Sequence, residues 1–121
     1  MNRILTWHFP GPLTDIRGLV EPGVRADAGA EFVADQDYLP VALRILVKTA
    51  AVAGLLTVDI NDDGTSIFDT APSVGADRNQ ADVSLFKNDP TIKEGSVITL
   101  DFDAIPVGAV DLTVHLELEA R

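Results

Sequence analysis

At 121 residues with a formal charge of −10, from 19 acidic and nine basic side chains, the chain fits one domain and is a poor match for a phosphate backbone. It has no cysteine, which excludes thiol catalysis, cysteine-based zinc sites and disulfide staples together. No apolar run approaches the roughly 20 residues that a bilayer-crossing helix needs, so neither nucleic acid nor a membrane is expected as a partner.

A chain of this length removes roughly two-thirds of its unfolded surface from water on folding, so it needs no staple or structural metal. The first expected strand is Ile4 to Phe9, closed by Pro10-Gly11-Pro12. Met1 to Pro10 holds too short an apolar stretch for a signal peptide and lacks a small-residue cleavage site, predicting a protein that matures where it is made. Between Thr14 and Asp37, one or two short strands are expected around Val20 to Arg25 and Glu31 to Ala34, separated by glycines. Val41 to Ala50 alternates Leu43, Ile45 and Val47 with Arg44, Leu46 and Lys48. Its composition also allows a short helix, but Pro40 and the β-branched residues favour a strand. Ala50 to Gly54 is then a small-residue connection.

The strongest local signal is the stretch Leu55 to Phe68. Leu56, Val58 and Ile60 alternate with Thr57, Asp59 and Asn61, the pattern breaks at Asn61-Asp62-Asp63-Gly64, and it resumes through Thr65 to Phe68. Gly64 supplies a positive φ and the Asn and Asp side chains bond local backbone, so a tight hairpin is expected. After a polar loop from Ala71 to Gln80 comes a strand over Ala81 to Phe86. Ser96 to Ile105 turns Ile98, Leu100 and Phe102 one way, and Asp111 to Ala120 does the same with Leu112, Val114, Leu116 and Leu118. Pro106 to Val110 is short enough to make these last two strands antiparallel neighbours, with the chain ending inside a sheet. Seven or eight short strands without a long helix make an all-β, single-domain antiparallel sandwich of jelly-roll type over 1–121, with 1–37 as a candidate attachment or oligomerisation segment.

Few residues nominate chemistry. Asp59, Asn61, Asp63 and Gly64 match the opening of a calcium loop, with oxygen ligands at alternate positions, but the twelfth position is Thr70 rather than glutamate and the flanks are strands. A solvated turn is therefore the main expectation there, calcium is the only ion nominated, and no other cofactor is expected. Leu56 to Asn61, Ile98 to Asp103 and Leu112 to Glu117 share one pattern: apolar, Thr, apolar, polar, apolar, acidic or amide. If these similar strands pair, Asp59, Asp101, Asp103, His115 and Glu117 share one outward face, expected to be solvated or docked on a basic partner, with a weak divalent-ion site as the alternative. His8 and His115 have no serine, cysteine or second histidine placed beside them in sequence, and no glycine loop meets a lysine for phosphate binding, so no catalytic residue is nominated. Trp7 and Tyr38 are the obvious aromatics for stacking on a sugar.

The blocks Val41 to Ala50, Gly54 to Phe68 (GLLTVDINDDGTSIF), Ile92 to Asp103 (IKEGSVITLDFD) and Gly108 to Leu116 (GAVDLTVHL) resemble small β-rich structural proteins of tailed bacteriophages. The resemblance spans roughly two-thirds of the chain, from Val41 to Leu116, and carries over no catalytic residue. It implies a non-enzymatic virion component, made in the host cytoplasm, that decorates or stabilises the capsid. It also implies contact with a capsid or tail protein and with copies of itself, a trimer by analogy with viral jelly rolls. Trp7, Phe9 and Leu46 are the candidate interface residues. The alternative is a receptor- or carbohydrate-binding sandwich of a tail, fibre or baseplate.

Overall fold

Strict alternation of apolar and polar residues builds two sheets that close on each other through their apolar faces. The computed structural model describes residues 2–12, 24–25, 32–75, 80–83, 86–88, 90–104 and 106–121. Among them there is no helix. The strands are β1 (Asn2–Pro12), β2 (Val24–Arg25), β3 (Phe32–Val33), β4 (Tyr38–Thr49), β5 (Leu56–Asp62), β6 (Thr65–Ser66), β7 (Ser73–Val74), β8 (Gln80–Val83), β9 (Val97–Ala104) and β10 (Val110–Ala120).

One sheet has the order β1-β10-β4-β8. The other is centred on β9 and β5, with β2 and β3 on the free edge of β9 and β6 and β7 on the free edge of β5. Because β2 and β3 both pair antiparallel along the same edge of β9, and β6 and β7 share the edge of β5, each pair fills a single interrupted strand position. The ten segments thus occupy eight positions, in the orders 1-8-3-6 and 2-7-4-5, which is the jelly-roll arrangement. The single-domain β-sandwich read from the sequence is the fold of the chain.

Between these positions only the β5–β6 hairpin stays within one sheet. Its two-residue tip, Asp63-Gly64, has φ of 49° and 88°, the pair of positive values that suits the twist of a tight hairpin. Asp63 also ties the tip to β9, since its backbone N–H donates to the Val97 carbonyl and its carboxylate accepts from the Val97 N–H at 2.9 Å.

The expected pairing of the last two strands is corrected. β9 lies between β5 and the β2/β3 edge, whereas β10 lies between β1 and β4 in the opposite sheet. The short link between them crosses from sheet to sheet and is held by a second crossing link, with the Val52 N–H donating to Val107 O and the Val107 N–H donating to Ala53 O. Pro106 has no N–H to offer a ladder, and a tight turn of Asn-Gly type is missing there.

The core is one cluster fed by both sheets: Leu43, Ile45, Leu112, Val114, Leu116 and Leu118 from one side, and Leu56, Val58, Ile60, Ile98, Leu100 and Phe102 from the other. Phe9 and Phe102 meet edge to face across it, with centroids 5.3 Å apart. Trp7 and Phe9 belong to this core at 3 % exposure each, which corrects their expected place on an interface. On β1 they alternate with Thr6 and His8, and the period of two sends the aromatic set inward. Leu46, on the outer face of β4, does remain exposed.

In the range 1–37, the described residues are strands of the two sheets and the start of the loop into β4, so they are part of the sandwich body. Most of the expected strand at Val20 to Arg25 lies outside the described residues, as do Glu31 and residues 84–85; Phe86 is reached again as a bridge partner of Phe68. No helix among the described residues is long and apolar enough to cross a membrane.

Candidate functional site

The two outer faces carry different chemistry. On β1, β10 and β4, polar side chains pair across the strands: Thr6 is hydrogen-bonded to His115 at 3.0 Å and His8 to Thr113 at 2.9 Å, each between residues directly opposite in register. Arg44 lies 4.0 Å from Glu117 and Lys48 3.9 Å from Asp111. Both histidines therefore act as cross-strand ties on an open sheet face.

On β5 and β9 the outward residues are Asp59 and Asn61 facing Asp101 and Thr99, with Asp103 next along β9. The register places Asp59 directly opposite Asp101 and Asn61 opposite Thr99. Between Thr57 and Val58 it skips one residue of β9, so Asp103 is the extra residue of a β-bulge, a device that re-aims a side chain. As a result, Asp59, Asp101 and Asp103 each offer a carboxylate oxygen within 4.8 Å of the other two.

This face is only partly open to water. Asp101 is 7 % exposed and Thr99 and Asn61 are also buried, while Asp103 is exposed. The Asn61 amide donates to one Asp101 oxygen at 3.2 Å, and the Ser66 hydroxyl donates to Asp59. The second Asp101 oxygen and the Thr99 hydroxyl are buried without a hydrogen-bond partner, a condition that costs on the order of 1–3 kcal/mol per group. Burial, reinforced by the charge of Asp59, pushes the Asp101 carboxyl up to about 6, although the Asn61 bond works against it. Burial also raises Asp59, opposed by the Ser66 hydroxyl and by the Lys87 ammonium. Asp62, at the end of β5, is raised by burial as well.

The sequence-nominated calcium loop is divided by this geometry. Asp59 and Asn61 lie on the outer sheet face, whereas Asp63 sits in the hairpin tip with its carboxylate on the Val97 N–H. Of the acidic face expected from similar strands, Asp59, Asp101 and Asp103 come together. His115 and Glu117 do not join them, because β10 is in the other sheet. Trp7 and Tyr38 are both buried, so neither offers a stacking face.

A second feature has no counterpart among the nominated residues. Ala50 to Val58 and Ala104 to Val110 contain no charged residue, and the structure joins these two crossing links at one end of the sandwich. Val52, Leu55 and Val107 are 74 %, 53 % and 51 % exposed there, half of the six exposed large apolar side chains among the described residues. The end is closely built: a Cβ on Gly108, whose φ is 89°, would lie 3.0 Å from a Val52 methyl. The missing charges were visible in the sequence, but only the crossing topology shows that the two stretches meet. No protein-family model matches the chain, and no curated protein matches it in sequence.

Proposed function

We propose that this chain is a non-enzymatic structural protein of a tailed-phage virion that decorates or stabilises the capsid, docking on a shell protein through its two joined uncharged links. The observation that carries the docking part is the concentration of Val52, Leu55 and Val107 on a stretch of surface built from two uncharged links, in a chain of net charge −10. Repulsion keeps the acidic remainder of such a surface apart from like-charged neighbours, and apolar area left in water at a defined place favours burial against a partner. The virion part rests on the resemblance of the Val41 to Leu116 blocks to phage structural proteins, and the jelly-roll order is compatible with it as an analogy of fold. The carbohydrate-binding alternative has lost its stacking aromatics to the core.

Mass spectrometry of purified particles tests the assignment: stoichiometric copies of this chain are expected, and its absence from them would overturn it. The double variant Val52→Asp, Val107→Asp should fold as the wild type does, since both side chains are exposed, yet enter particles roughly tenfold less or worse. Unchanged incorporation would remove the joined uncharged links as the docking surface.

A further inference from the structure

We propose that Asp59, Asp101 and Asp103 bind one calcium ion on the outer face of the β5–β9 pair, with Asn61 holding the Asp101 carboxylate in place for it. The inference rests on local geometry and is independent of the assembly reading.

Three carboxylates are hard oxygen donors, the ligand type that calcium and magnesium take. Tolerance of geometry separates the two ions. Calcium accepts six to eight oxygens in a flexible shell, whereas magnesium demands a near-ideal octahedron and gives up its waters reluctantly. The three carboxylate oxygens lie within 4.8 Å of one another on two paired strands and a bulge, an irregular set that suits the more tolerant ion.

The second observation is the state of Asp101 itself. This side chain is more than nine-tenths buried, one of its oxygens is engaged by Asn61, and the other has no hydrogen-bond donor. A carboxylate withdrawn from water and left half unsatisfied is stabilised by a cation or by a proton. Among the described side chains, the charges acting on Asp101 are the negative ones of Asp59 and Asp103. Lys87 eases Asp59 from its own side, so it competes with an ion at that carboxylate, and Ser66 occupies part of its bonding capacity. Asp103, exposed at the bulge, leaves the ion open to the waters that complete a shell of six to eight oxygens.

The test is calorimetric titration of calcium chloride into the full chain at pH 7.5 and constant ionic strength, with thermal unfolding alongside. One ion per chain is expected, with Tm rising by about 5–10 °C at calcium a hundredfold above Kd. Asp103→Asn changes an exposed residue and so leaves folding intact; it should abolish both the binding heat and the Tm rise, as should Asp101→Asn. Glu119→Gln, an exposed acid on the opposite sheet, should keep both. Magnesium chloride at the same concentration should raise Tm less than half as far. No saturable heat up to about 10 mM calcium, an Asp103→Asn response equal to wild type, or magnesium matching calcium would each overturn the proposal.

Discussion

The outer faces of the two sheets start from the same alternating pattern and end in opposite states. On β1, β10 and β4 the outward side chains are paired with partners of complementary character, as in Thr6 with His115 and Arg44 with Glu117. On β5 and β9 three carboxylates converge, one of them buried with an oxygen that finds no donor. A paired, solvated face adds little to stability and asks for nothing more. A buried, like-charged face lowers stability unless something else occupies it, so the difference marks where a ligand would act.

The comparison applies to outer faces only, because the inner faces share one core. Phe102→Ala, which empties a fully buried site against the edge of Phe9, should lose about 3–5 kcal/mol by urea denaturation, and Leu116→Ala from the other sheet about 2–5 kcal/mol. A cost confined to one sheet would show that the two do not share a core.

The next effect separates the outer faces by pH. Asp101 has its folded carboxyl raised to about 6 from an ordinary value of 3.8, so the folded chain holds the proton more tightly than the unfolded one. Its contribution is favourable below pH 4, is lost as pH rises through 6, and stays lost above it. In calcium-free buffer, stability attributable to this group should fall by about 2–3 kcal/mol between pH 4 and 7. Asp59 and Asp62 act in the same direction, while Asp35, held low by the Tyr38 hydroxyl, acts in the opposite one. Asp101→Asn should remove most of that fall and be more stable than wild type at pH 7.5. A variant less stable than wild type at that pH would mean that the carboxylate is already satisfied.

The smallest expected effect is on the paired face. Glu117→Gln weakens a contact with Arg44 that is long and partly exposed, and it should change stability by less than about 0.5 kcal/mol at any pH above 5. A loss of 2 kcal/mol or more in the same urea measurement would place real stabilisation on that face and erase the contrast.

Short β7 lies inside the expected polar loop Ala71 to Gln80, but the sequence by itself determined the longer strands, which side of β9 and β10 faces inward, and where the tight hairpin at Asp63-Gly64 falls. Those are local properties: a period of two sets the faces of β9 and β10, and Asp63-Gly64 sets the turn through its positive φ values. It also showed the charge-free stretches and the strand positions of the three aspartates. Only the tertiary structure decided that β9 and β10 belong to different sheets, that Asp59 faces Asp101 while His115 and Glu117 look out from the other side, and that Val52 meets Val107 at one end. The pairing of β1 with β10 also fixes which core the alternating Trp7 and Phe9 enter, and so takes them off any interface. The physical reason is common to all of these. Alternation is satisfied by any neighbour that covers the apolar side, so it carries no information about which strand that neighbour is; sheet membership follows from burial summed over the whole chain.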